Sequence, residues 1–184
     1  MPRRLPDPAH GSPNVALSAL TLFIDRPFAG IYTRQDNQAV DRWATRGRTR
    51  FGSLQAFGRD AGIKPLLAEL RSGSLIYLLP DMDFGRRNSE FVSFFGVQAA
   101  TLTSLSRITK LGRAKLVPVV ATMTAQGYNI EVHQAWAEYP TNDVRADTAR
   151  MNLWLEARVR EMTDEYYWVH RRFKTRPMGE TSLY

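Results

Sequence analysis

Residues 65–96 read PLLAELRSGSLIYLLPDMDFGRRNSEFVSFFG, and their order points to the fold class. Pro65 suits the opening of a helix, where its missing N–H costs nothing, and Gly73 suits the stop. SLIYLLPD then runs apolar without a break, as a strand covered on both faces does. EFVSFFG follows as a second, shorter strand. This succession predicts an α/β fold in which a mixed sheet is sandwiched by helices. Ligands in such sheets bind beyond the carboxyl ends of the parallel strands. The turn that opens at Asp81 stands at such an end.

That turn packs Asp81, Asp83, Arg86 and Arg87 closely together. Carboxylates on alternate residues can offer hard oxygen ligands to magnesium or manganese, as the D-x-D pair of nucleotide-sugar transferases does. The two arginines would set positive charge beside such a cation. They suit phosphate or carboxylate held bidentately, with the aspartates orienting them. A solvated, self-neutralising turn, its Asp81 capping backbone donors, is the third possibility. The turn alone leaves all three open.

Working outward, VALSALTLFI from Val15 to Ile24 is apolar and compatible with a buried helix end or a strand. Asn37 can cap a helix running to about Arg50, whose later turns carry Arg42, Arg46, Arg48 and Arg50. Downstream, residues 99–112 place Leu102, Leu105 and Ile108 at helical spacing, with Gly112 as the stop. KLVPVVATM reads as a buried strand with Pro118 near an edge or bulge. YNIEVHQAW alternates and pairs with it across AQG as an antiparallel hairpin. Thr148, Met151, Leu155, Val159 and Met162 mark one face of a helix from about Val144. Residues 1–14 hold four of the ten prolines and are expected to be disordered, leaving 15–184 as one domain.

With 43% apolar residues the chain is of ordinary globular composition and can bury a real core. It has no cysteine, which excludes disulfides and thiolate metal sites. Three dispersed histidines (His10, His133, His170) argue against a histidine zinc site. The net charge of +7 favours an anionic partner: nucleic acid, lipid headgroups or an acidic protein. No stretch reaches the ~20 apolar residues of a membrane-spanning helix. The start, MPRRLPDPAHGSPN, lacks the apolar segment of a secretory signal.

From Tyr166 the chain reads YYWVHRRFKTRPMGE, interleaving Arg171, Arg172, Lys174 and Arg176 with aromatic rings. That composition suits stacking on RNA bases, contact with an anionic membrane surface, or simple docking of the segment on the core through its rings.

PDMDFGRRNSEFVSFFGVQAATLT, LVPVVATM and YYWVHRRFKTRP ending in SLY, together with GIYTRQDN and the GRTR of Gly47–Arg50, resemble the lipid A biosynthesis acyltransferases. The likeness runs from about Ala19 to Tyr184. It implies transfer of a fatty acyl chain from acyl carrier protein to a hydroxyacyl chain of a lipid A precursor. The implied place is the cytoplasmic face of the bacterial inner membrane, with no cofactor and no nucleic acid. It places Arg48 and Asp81 in the active site, Asp81 near Arg48. Arg50, Asp83, Arg86, Arg87, Arg171 and Arg172 become candidates for binding the precursor.

The same resemblance calls for a histidine separated by four residues from an acid, displayed on one helix face just before ALTLF, as the general base. Here the only nearby histidine is His10, and Val15 stands where the acid belongs. The expectation is therefore an acyltransferase-like domain incomplete at its N-terminus. It keeps the substrate-binding half, and loss of the base alone costs ~10²–10⁴ in rate.

Overall fold

The computed structural model describes residues 11–51 and 53–184. Helix α1 (Gly11–Phe23) leads into strand β1 (Phe28–Tyr32), helix α2 (Gln38–Thr49) and strand β2 (Leu54–Gly58). A 3-10 turn at Arg59–Ala61, helix α3 (Lys64–Arg71) and strand β3 (Leu75–Tyr77) follow. The three strands form one parallel sheet in the order β2-β1-β3, with Phe28 opposite both Leu54 and Leu75. Two antiparallel hairpins come next: β4 (Ser89–Phe94) with β5 (Val97–Leu102), and β6 (Val119–Thr124) with β7 (Gly127–Val132). Helix α4 (Ser104–Gly112) lies between the hairpins in sequence, and α5 (Val144–Glu161) packs along β4.

Side chains alternate along a strand, so the parallel sheet sends its apolar residues both ways. Phe28, Leu54, Leu75 and Tyr77 meet Leu17, Leu20 and Ile24 on one face. Ala29, Ile31, Phe57 and Ile76 meet Leu66, Leu67 and Leu70 of α3 and Ile108 of α4 on the other. Helices cover both faces, as predicted. The caps also follow the sequence: Asn37 Oδ1 accepts from the N–H groups of Ala39 and Val40 at 2.9 and 3.3 Å. Asp143 Oδ1 accepts from Ala146 N–H at 2.9 Å at the head of α5. Each satisfies donors that a helix start otherwise leaves bare.

Three expectations change. Residues 11–14, read as part of a disordered start, lie in the first turn of α1. Proline is tolerated there because first-turn N–H groups have no intrahelical acceptor. Residues 1–10, His10 among them, lie outside the described residues. SLIYLLPD contributes only three strand residues, and β3 sits at an edge of its sheet among the described residues. Pro80 brings no N–H with which to extend the pairing. AATL, read as the start of a helix, is strand instead, the later half of β5.

The signal for β5 was hidden in its turn. Phe95 and Gly96 join β4 to β5 with φ of 51° and 77°. Two positive φ angles suit a tight hairpin, but phenylalanine is an unusual first member. Tertiary contacts hold it there. Its N–H donates to Glu156 Oε1 at 2.6 Å, its ring meets Phe94 edge-on, and the Arg160 guanidinium lies 4.8 Å from the ring centre.

Candidate functional site

Parallel strands deliver their carboxyl ends to one edge, and three segments meet there. After β1 comes Arg34, after β2 come Arg59 and Asp60, and after β3 comes the turn from Asp81. Arg34 Nε lies 3.9 Å from Asp60 Oδ1, both side chains exposed. The Arg59 guanidinium lies over the Phe84 ring, 3.4 Å from its centre. Sequence reasoning singled out neither Arg34 nor Arg59. The signal was present, since each stands one or two places past a strand end in a parallel sheet. Arg48 lies over the ring of Tyr32, the last residue of β1, at 5.8 Å. Its Nη1 is buried without a hydrogen-bond partner.

The second half of the site is the C-terminal segment, which folds back onto the turn. Asp83 is 2% exposed and makes the principal joint. Its Oδ1 accepts from Gly85 N–H at 2.9 Å and from Thr175 Oγ1–H at 2.8 Å. Its Oδ2 accepts from Thr175 N–H at 2.9 Å. Gly85 takes φ of 89°, which lets the chain curl round the carboxylate. Asp83 was expected to bind substrate; here both its oxygens are engaged by these three donors. Arg86 Nη2 adds a further tie by donating to the Arg176 carbonyl, while its guanidinium lies 5.5 Å from the Phe91 ring centre.

Arg172, another candidate for binding the precursor, is likewise engaged by the protein's own groups. It is 1% exposed. Nη1 donates to Ala100 O at 2.9 Å, and Nη2 donates to Thr101 Oγ1 at 2.6 Å and Asn152 Oδ1 at 3.3 Å. Such a guanidinium braces β5 against α5 from within the core. Tyr166 and Phe173 pack with Phe94, so the aromatic stretch is docked on the core and does not display those rings for stacking on bases. Arg86, Arg87, Arg171 and Arg50 are exposed; Arg171 reaches the Tyr184 ring and Arg50 that of Phe51.

Asp81 is half-buried and acts on the groups around it. Burial first, and then the Asp81 carboxylate, push the Tyr77 and Tyr166 phenols well above their ordinary value. Arg172 opposes that push on Tyr166. Burial lowers the Arg172 guanidinium, against the pull of Tyr166, Asp81 and Asp83. Among the described residues no ion pair joins Asp81 to Arg48.

Two histidines are described. His170 Nδ1 contacts the Tyr167 carbonyl, and its Nε2 is buried without a partner. His133 begins a His-x4-Glu spacing that ends at Glu138, which the sequence reading passed over. The spacing lies beyond β7 on non-helical chain, and His133 Nε2 faces Glu131 Oε2 at 3.8 Å. The pair is therefore not presented on one helix face.

The family model for bacterial lipid A biosynthesis acyltransferase matches residues 10–175. The chain is 32% identical over 174 residues to the lipid A biosynthesis palmitoleoyltransferase of Escherichia coli, covering 93% of this chain and 56% of that protein. It is 33% identical over 171 residues to the E. coli lipid A biosynthesis lauroyltransferase, covering 91% and 55%. A lipid A biosynthesis acyltransferase of Haemophilus influenzae is 36% identical over 158 residues, covering 84% and 48%. The chain thus spans about half the length of the curated relatives it matches.

Proposed function

This chain belongs to the bacterial lipid A biosynthesis acyltransferase family, and on that premise we propose that its strand-end lip holds the lipid A precursor for acyl transfer. The acyl chain passes from acyl carrier protein to a hydroxyacyl chain of that glycolipid. The observation that supports this reading is the interlock of residues 81–88 with 166–176 at the carboxyl side of the parallel sheet. It leaves Arg86 and Arg87 exposed, where their guanidinia suit the phosphates or sugar acid of the acceptor. Arg48, with an unpartnered guanidinium nitrogen, and Asp81 are assigned to the reacting groups.

In the proposed step the acceptor hydroxyl loses its proton to a base as its oxygen attacks the thioester carbonyl, and the carrier thiolate leaves. The scheme asks for no cofactor, and its setting is the cytoplasmic face of the inner membrane. No described helix is long and apolar enough to cross a membrane. His10 does not open a His-x4-acid pair, because Val15 stands five places after it.

The test is acyl transfer from acyl carrier protein to a lipid A precursor by this chain, with precursor binding measured alongside. Binding is expected, weakened by Arg86→Ala with Arg87→Ala. Turnover is expected ~10²–10⁴ below that of a relative carrying the His-x4-acid pair. Turnover lost on His170→Ala but kept on His10→Ala would overturn this account of the base. Failure to bind precursor would overturn the proposal itself.

A further inference from the structure

Helix α2 is inside out. None of its residues is buried, although it links two strands of the central sheet. Its half-buried row is Asp41, Ala44, Thr45, Arg48 and Thr49, largely polar or small. Its outward row carries the large apolar residues: Trp43, 78% exposed, and Val40, 47% exposed. An amphipathic helix in a water-soluble fold points the other way. Spacings of three and four residues put Val40, Trp43, Gly47 and Arg50 on one stripe, with Arg42 and Arg46 beside it, all exposed.

We infer that this face of α2 is a docking surface for an anionic lipid bilayer. Trp43 and Val40 would enter the headgroup boundary while Arg42, Arg46 and Arg50 meet lipid phosphates. Tryptophan flanked by cations is the composition that settles at that depth. Charge complementarity favours this occupant over residues 1–10 and over a second copy of this chain. The segment 1–10, MPRRLPDPAH, carries Arg3 and Arg4 against a single Asp7, so it offers the arginines no net counter-charge. A second copy of α2 would bring its own arginines against them. The inference rests on the membrane setting proposed above and names the face that meets it; vesicle binding is read without turnover, so the two can fail separately.

The test is co-sedimentation of the whole chain with phosphatidylcholine vesicles, with and without phosphatidylglycerol, while tryptophan emission is followed. Binding is expected only with the anionic lipid. It should bring a blue shift and quenching by brominated lipid, both lost in Trp43→Phe, which keeps a ring in place. Each arginine near such a surface is worth about fivefold, so Arg42→Ala, Arg46→Ala and Arg50→Ala together should weaken binding about a hundredfold. Circular dichroism should be unchanged by these exposed substitutions. Equal binding to neutral vesicles overturns the inference, as does anionic binding that survives the triple variant but falls with Arg171→Ala and Lys174→Ala. Preference for single-stranded RNA over vesicles, lost in the triple variant, overturns it too.

Discussion

Asp83→Ala separates a staple from a ligand. The carboxylate accepts three hydrogen bonds: from Gly85 N–H, Thr175 N–H and Thr175 Oγ1–H. Hydrogen bonds to a buried charged group contribute about 1.5–3 kcal/mol each, and their losses overlap because all three share one side chain. A cost of about 3–5 kcal/mol is expected, the range for breaking one side of a buried charged arrangement. With a urea slope of about 2 kcal/mol per molar, the unfolding midpoint should fall by about 1.5–2.5 M. Asp83→Asn, which keeps the shape and one acceptor oxygen, should lose roughly half as much. Thr175→Val completes a double-mutant cycle in which the coupling energy should exceed about 1 kcal/mol. If Asp83→Ala unfolds within about 0.5 kcal/mol of the parent while precursor binding collapses, the staple is refuted and Asp83 is a ligand after all.

Arg172→Lys keeps the charge but cannot reach Ala100 O, Thr101 Oγ1 and Asn152 Oδ1 together; a loss of about 2–4 kcal/mol in denaturant unfolding is expected. Arg86→Ala with Arg87→Ala should cost about 0.5–1.5 kcal/mol, for the exposed tie to the Arg176 carbonyl, and weaken precursor binding, read by calorimetry. Burial pushes the Tyr77, Tyr139 and Tyr166 phenols up from 10.0. The folded state then holds those protons more tightly than the unfolded chain. Their contribution is fully present below pH 10 and is lost as pH rises beyond it, so tyrosinate absorbance and loss of helical dichroism should rise together. Tyr139→Phe removes a buried hydroxyl that has no hydrogen-bond partner and should be neutral or stabilising by about 1 kcal/mol in thermal unfolding.

Local signals carried the reading wherever one residue type fixes one backbone geometry. Asn37 announced α2, Pro65 and Gly73 bracketed α3 to within a residue or two, and the Thr148–Met151–Val159 period matched buried positions of α5. The misreading at 99–102 came from a turn whose conformation Phe95 owes to Phe94, Glu156 and Arg160, and Glu156 lies 61 residues away in the chain. The sequence reading singled out two segments, PDMDFGRR and WVHRRFKTRP, that the fold joins, without foreseeing their mutual contact. Asp83 and Thr175 are 92 residues apart, and no periodicity reports such a pairing.

Charge alone could not assign the arginines, because burial divides neighbours that the sequence makes equal. Arg171 and Arg172 are adjacent, yet Arg171 adopts φ of 53° and stays exposed while Arg172 turns into the core. A guanidinium in the core needs fixed acceptors, and β5 and α5 supply Ala100 O, Thr101 Oγ1 and Asn152 Oδ1. The bracing charge then sits in the field of Asp81, Asp83 and Tyr166. One buried cation thus helps balance both aspartates of the turn, while Arg86 and Arg87 remain exposed at its rim. The tail therefore shapes the turn from within, and in the proposed function the acceptor meets the exposed rim.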